Sequence, residues 1–330
     1  MKTDAIIFPA PNKVTFGPVE MPEPVAGDVV VRTLVTALST GSDMRTLRGG
    51  QVPDFPLVPS YSALGIVEEV HGDCGRVREG DLVFSGSPKG LIGITRCWGA
   101  QVARCVRPAA GLVPLDGRRS PEEYAFTKVA AIALHGVRRT LSEPGDTVLV
   151  LGQGLIGQLH ARVQAAFGRQ VAVADLVPWR LERSLAGGVA RAINAKEEDV
   201  AAAVRALWPE GPQVAVEASA RQEGIDLCVE LLRGRAWGRE DRMPMLLLQA
   251  SYFTRLQFDA NTFFLKEFIA ISTRDTDPRD LVGAAGMIGA GSLRVDDLIT
   301  LKAPPQKAAA AFDELLSHPE RHMTALFLWD

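Results

Sequence analysis

The stretch VLVLGQGLIGQL (148–159), followed by VAVAD (171–175), decides the fold. It reads as a strand, a glycine turn, a helix and a second strand ending on an acidic residue, which is the pattern of a dinucleotide site. Each glycine has a separate task. Gly152 permits the tight turn, Gly154 lets the backbone approach a pyrophosphate, and Gly157 allows the helix to lie close on the strand. The helix start, at Leu155 and Ile156, presents free N–H groups and the positive end of a dipole to phosphates. Asp175 then selects the cofactor, because a carboxylate bonds the ribose 2′-OH and repels a 2′-phosphate. NAD is therefore expected in preference to NADP. Arg180, five residues on, is either an adenine contact or a solvated arginine at a helix start.

Working outward, residues 1 to about 118 carry short β-type runs cut by Gly and Pro: DAIIF, KVTFG, DVVVRTLVTAL, ALGIVEEV, GDLVFSG and AQVARCV. Such spacing predicts a small, irregular barrel or sandwich. From Pro121 the pattern turns helical through YAFTKVAAIALHGVRRTL, then alternates strand and helix, with strands expected at QVAVEAS (213–219), MLLLQAS (245–251) and EFIAIST (267–273). That alternation predicts a doubly wound parallel sheet in an α/β protein. A helix over PRDLVGAAGMIGAG, the segment LRVDDLITLKAP, a last helix over QKAAAAFDELLSH and a strand at FLWD follow, the last expected to return to the first domain.

A chain of 330 residues with 47% apolar residues, 23% charged residues and a mean hydropathy of +0.08 has the composition of a soluble two-domain protein. The net charge of −3 offers no basic face, which argues against nucleic-acid and anionic-membrane partners. The four cysteines, Cys74, Cys97, Cys105 and Cys228, lack CxxC spacing and predict neither a disulfide framework nor a metal cage. The N-terminus has no signal-peptide pattern, and no run approaches the roughly 18 apolar residues of a membrane span. A cytoplasmic location is expected.

The chain as a whole resembles the medium-chain dehydrogenase/reductase superfamily, the fold of alcohol, sorbitol and threonine dehydrogenases. The resemblance is carried in order by PEPVAGDVVVRTLVTALSTGSD, PLVPSYSALGIVEEV, GDLVF, ALHGVRRT, the glycine turn, VAVEAS and DDLITLKAP. It implies a GroES-like β-rich catalytic domain interrupted by a Rossmann domain, with boundaries read at 1–129, 130–273 and 274–330, and an active site in the cleft between them. It also implies a homodimer or homotetramer. In zinc-dependent relatives the ligands are a Cys in a CGSD-like motif, the His and often the Glu of a GHE motif, and a Glu in an EPLA-like motif. The corresponding positions here are Thr40, Tyr61 and Ser62, and Lys128. Zinc takes thiolate, imidazole or carboxylate donors, so none of that ligand set remains, and the four-cysteine structural lobe has no counterpart. No metal is expected at either place.

A metal-free dehydrogenase needs another group to move the alcohol proton. On the resemblance, Thr40, Tyr61 and Lys128 face one cleft, and a lysine cation beside a phenol favours the phenolate. The short-chain dehydrogenases use a Tyr and Lys pair in this way on an unrelated architecture. The residues admit other readings: Tyr61 as a packed aromatic, Lys128 paired with Asp43 or binding an acidic group on the substrate, and Ser42 and Asp43 as turn or capping residues. His135 reads as a structural helix residue; His71, His160, His318 and His322 sit in no motif. Glu217, Ser272 and Thr273 fall near carboxyl ends of strands, which makes Ser272 and Thr273 candidates for the nicotinamide side.

The resulting expectation is an NAD-dependent, zinc-independent alcohol dehydrogenase acting on a secondary alcohol or its ketone, of a sugar, cyclitol or specialised metabolite. STGSD, PDFPLVPSYSALGIV, GQGLIGQLHAR and LFLWD are also similar to bacteriochlorophyllide hydroxyethyl dehydrogenases, from which Lys128 departs. The rivals are a quinone or enoyl reductase, against which Asp175 argues, and a cofactor-binding protein without turnover. Burying Thr40, Tyr61, Ser62 and Lys128 without a use would be costly, which counts against the last.

Overall fold

In the computed structural model, residues 1–51, 54–235, 238 and 242–329 are described, so Pro53 of PDFPLVPSYSALGIV and Asp330 of LFLWD lie outside the described residues. The chain opens with β1 (Lys2–Ala10), β2 (Lys13–Glu20), β3 (Asp28–Ala37), α1 (Thr40–Leu47), β4 (Leu57–Val58), β5 (Ser62–Val70), β6 (Leu82–Phe84), β7 (Thr95–Arg96), β8 (Arg104–Pro108) and β9 (Val113–Pro114). Two helices follow, α2 (Pro121–Tyr124) and α3 (Thr127–Arg139). The helical run read from the sequence is therefore broken. Ser120 and Glu123 close a capping box on α2, and the Thr127 hydroxyl bonds the Tyr124 carbonyl at 2.7 Å, which starts a new helix.

The alternating region comprises β10 (Thr147–Leu151), α4 (Leu155–Ala166), β11 (Gln170–Asp175), α5 (Pro178–Ala186), β12 (Arg191–Asn194), α6 (Val200–Leu207), β13 (Val214–Glu217), α7 (Gln222–Leu231), β14 (Met245–Leu248), α8 (Ala260–Lys266), β15 (Ile269–Ser272) and α9 (Pro278–Gly289). All six strands are parallel, in the order β12-β11-β10-β13-β14-β15. In β10, Leu149 and Leu151 enter one apolar cluster while Val148 and Val150 enter another. Both faces of the sheet are covered, which is why TVLVL shows no polar alternation. The order reverses at β10, the position at which doubly wound sheets bind their ligands.

The chain closes with β16 (Leu301–Ala303), α10 (Ala308–Ser317) and β17 (Ala325–Leu328). As read from FLWD, β17 returns to the first segment and pairs antiparallel with β3, Phe327 opposite Thr36. Phe312 of α10 lies edge-on to Phe8 at 5.1 Å and stacks on Phe327 at 6.1 Å, which closes a core of residues from both ends of the chain. One compact unit thus contains residues 1–129 and 284–330, and a second contains 130–283. Residues 274–283, expected in the return segment, belong instead with the second unit. Their tie is electrostatic: Asp280, fully buried, is bonded by His135 at 2.7 Å and by Arg138, both on α3. Among the described residues no helix is long and apolar enough to cross a membrane.

Candidate active site

The eight residues read as cofactor contacts all fall in the second unit, and the four read as catalytic all fall in the first. In the second unit the glycine turn behaves as its spacing demands. Gly152 has φ +90°, and a Cβ there would meet the Ser219 backbone nitrogen at 2.8 Å. A Cβ on Gly157 would lie 1.9 Å from the Gly152 carbonyl oxygen, so α4 can sit on β10 only without a side chain at 157. At Gly154 a Cβ would meet nothing within 4 Å, so its bare face opens outward. Gly154 is the N-cap of α4 and supplies no side-chain cap, which leaves the Leu155 and Ile156 N–H groups for an anion.

Asp175 is the last residue of β11 and half-buried. Its Oδ2 accepts the Gln153 N–H at 2.6 Å and its Oδ1 the Val177 N–H at 2.9 Å. A carboxylate has about four acceptor positions, so two bonds to the backbone leave capacity for a diol. Arg180 lies on the first turn of α5 with its guanidinium 5.6 Å from the centre of the Trp179 ring, and its carbonyl accepts from Gln158 at 2.6 Å. Ser272 is exposed at the carboxyl end of β15, the outermost strand, three positions from β10.

Sequence reading missed the supports beneath this loop. Gln153, in the middle of GQG, is fully buried and accepts the Ser184 hydroxyl at 2.9 Å. Glu217 is also fully buried and accepts from the Ser219 N–H at 2.7 Å, the Ser219 hydroxyl, the Ala220 N–H at 3.1 Å and the Tyr252 hydroxyl. It is a lock on the segment that abuts Gly152. The only sequence signal was a carboxylate inside an otherwise apolar strand. His160 is fully buried, bonds Gln249 at 3.2 Å and is pushed down to about 4 by desolvation, so it stays neutral.

In the first unit, Thr40 begins α1 and donates its hydroxyl to the Met323 carbonyl at 3.1 Å. Toward a ligand it is then an acceptor. Ser42 is half-buried, and its carbonyl accepts the Thr46 hydroxyl at 3.0 Å. Tyr61 is 9% exposed, with its ring edge-on to Trp98 at 5.1 Å. Ser62 is buried, and its hydroxyl has no hydrogen-bond partner among the described residues. Lys128 is half-buried on the first turn of α3. None of Thr40, Tyr61, Ser62 and Lys128 is a donor that zinc prefers, so this set does not fit the metal that the resemblance places there. Among the described residues only His135, Asp277 and Asp280 converge as metal donors do, within 4.8 Å. Arg138, Arg139 and Arg279 already pair with those carboxylates, so the group reads as an ion-pair clamp between α3 and α9.

Asp43 turns out to be a cap. Its Oδ2 accepts the N-cap Ser39 N–H at 2.8 Å from the fourth position of α1. Burial raises its pKa from 3.8 to about 7, against the opposing hydrogen bonds of Ser39 and Ser60.

Residues 25–117 match the alcohol dehydrogenase GroES-like domain family. The 2-desacetyl-2-hydroxyethyl bacteriochlorophyllide A dehydrogenase of Cereibacter sphaeroides is 29% identical, over 97% of this chain and 96% of its own. The L-threonine 3-dehydrogenase of Streptomyces avermitilis is 30% identical over 71% of this chain and 74% of its own. Among solved structures, a short chain alcohol dehydrogenase from Escherichia coli CFT073 complexed with NADH superposes with a TM-score of 0.86 at 20% identity, over 99% of both chains.

The Asp43 carboxyl yields a stability prediction. The unfolded chain releases this proton near pH 3.8 and the folded chain holds it to about pH 7, so the group opposes folding increasingly as pH rises across that window. Asp43→Asn, which mimics the protonated carboxyl, is expected to gain stability relative to the wild type between pH 5 and pH 8. Urea denaturation at the two pH values measures this, and a pH-independent difference would refute the raised pKa. With the glycine turn, the parallel order reversing at β10 and these relatives together, the chain belongs to the medium-chain dehydrogenase/reductase superfamily.

Proposed function

We propose that this chain is an NAD-dependent, metal-independent alcohol dehydrogenase acting on a secondary alcohol or its ketone. The observation that carries the reading is Asp175, tied to the glycine turn through Gln153 N–H yet retaining acceptor capacity at the end of β11. A carboxylate so placed suits a ribose diol and disfavours a 2′-phosphate. When bound, NAD supplies the hydride acceptor at the nicotinamide. The protein's part is to hold the alcohol and take its proton. Tyr61 is the proposed final acceptor of that proton and Lys128 the cation favouring its phenolate, with Thr40 a relay whose oxygen takes the alcohol proton while its own hydroxyl hydrogen, otherwise held by the Met323 carbonyl, passes to Tyr61.

The substrate we propose is a secondary alcohol of a sugar, a cyclitol or a specialised metabolite. A second reading, a hydroxyethyl group on a bacteriochlorophyll-type macrocycle, is favoured by the end-to-end similarity to the Cereibacter enzyme. Both are secondary alcohols, and the proposed residues serve either.

Two measurements test the reading. NAD is expected to bind more tightly than NADP, and Asp175→Ala to narrow the gap, since a charged hydrogen bond contributes about 1.5–3 kcal/mol, roughly ten- to a hundredfold. Equal affinity of the wild type for both cofactors would exclude the assignment. In the second, a panel of polyols, cyclitols and hydroxyethyl tetrapyrroles is screened for NAD reduction with and without chelator. Tyr61→Phe should lower turnover by about 10²–10⁴-fold with NAD affinity unchanged, and Lys128→Met should shift the pH–rate profile upward. Full turnover in Tyr61→Phe with loss in Lys128→Met would transfer the proton-accepting role to the lysine, and activity lost to chelation and restored by zinc would refute metal independence.

A further inference from the structure

Arg107 lies on β8, two residues from Cys105 and so on the same face of the strand. Cys105 is fully buried, and Arg107 extends from that core until its guanidinium meets two glycines. A Cβ on Gly111 would lie 2.4 Å from Nη2, and one on Gly86 3.0 Å from Nη1. Gly86 has φ +61°, which disfavours any other residue there, so only backbone borders the guanidinium on that side. The residue is half-buried, yet among the described residues its side chain makes no hydrogen bond and no ion pair. Other recessed arginines are bonded: Arg162 to Gln158 at 3.2 Å and to the Arg183 carbonyl at 2.9 Å, and Arg169 to the Phe167 carbonyl at 3.0 Å.

A recessed charge without a partner is costly, and burial accordingly lowers the Arg107 pKa. Its position gives the cost a use. The Gly86 N–H is bonded to the Ala63 carbonyl at 3.0 Å, and the Tyr61 carbonyl lies 3.6 Å from where a Gly86 Cβ would stand. The guanidinium therefore lies beside the backbone of the segment that carries Tyr61. We propose that the glycine-walled recess at Arg107 binds an oxyanion, carboxylate or phosphate, carried by the substrate whose hydroxyl is presented to Tyr61. A guanidinium offers a planar pair of N–H donors that matches such a group, and the bond is charge-assisted. The proposal rests on Tyr61 marking the reacting end.

Its test has an arm that needs no turnover. The full chain and Arg107→Met, a near-isosteric change that keeps the apolar stem, are titrated with inorganic phosphate and with acetate at constant ionic strength while the melting temperature is followed. The wild type should show saturable stabilisation and the variant should lose it, with an anion-free melting temperature no lower than that of the wild type. Arg107→Lys, which keeps the charge without the fork, should bind about tenfold more weakly than the wild type and decides the matter should the methionine variant not fold. In the kinetic arm, the KM of a hexonate should rise at least about tenfold in Arg107→Met while that of the matching hexitol stays constant. No anion response in the wild type, an equal response in Arg107→Met, or a parallel change in both KM values would overturn the proposal. Absence of NAD reduction with every alcohol would instead count against the dehydrogenase reading and leave the phosphate result to decide the recess.

Discussion

The contact between Gly157 and the Gly152 carbonyl governs the second unit. Any side chain at 157 would push α4 off β10, and with it the helix N-terminus that faces a pyrophosphate. The rest of the loop is held around that contact. Asp175 holds the Gln153 N–H from the β11 side, Ser184 holds the Gln153 side chain from α5, and Glu217 holds the Ser219 segment against Gly152. Each anchor is buried or half-buried and bonded, so the loop is shaped before a ligand arrives. A preorganised loop loses little entropy on binding, which is how a short glycine turn can hold a large cofactor.

The first unit holds its segments together by polar links. A buried chain of hydrogen bonds runs through it. Trp329 Nε1–H donates to Thr36 at 2.9 Å, the Thr36 hydroxyl to Gln101 at 2.6 Å, and the Gln101 amide to Ser60 at 3.0 Å. Thr324 bonds the Leu38 carbonyl and Thr40 the Met323 carbonyl, so the residues leading into β17 secure the segment leading into α1. Ser60, beside Tyr61, is thus linked through Gln101 to Thr36 of β3 and to Trp329 just past β17. Polar links of this kind position side chains only when every member is bonded, and these members are.

What the sequence revealed tracks where the determining contact lies. Asp175 could be read as the end of a strand because VAVAD is apolar up to its last residue, and the glycines could be read because their task is local. β12 was missed because RAIN is only four residues, held by parallel pairing to β11 through Ala192 and Ile193 rather than by its own pattern. The break between α2 and α3 depends on a capping box at Ser120 and a Thr127 hydroxyl bond, although apolar spacing continues across it. Asp43, Glu217 and Arg107 were illegible as buried charges because their partners, or the lack of them, come from distant segments. Residue type alone does not say whether a carboxylate is solvated or sealed.

Asp43 shows how finely such a sealed charge is balanced. Burial favours the neutral carboxyl, while the Ser39 N–H and Ser60 favour the carboxylate, and each donor in the chain from Trp329 points toward Ser60 and adds to its polarisation. Burial wins. A carboxyl titrating near 7 rather than 3.8 reflects a net penalty on ionisation of about 4 kcal/mol, well below what an unbonded buried carboxylate would incur. Near neutral pH the carboxyl therefore exchanges a proton readily in a region that holds Thr40 and Tyr61 in place, so the charge beside these groups is set by the solution as well as by the fold.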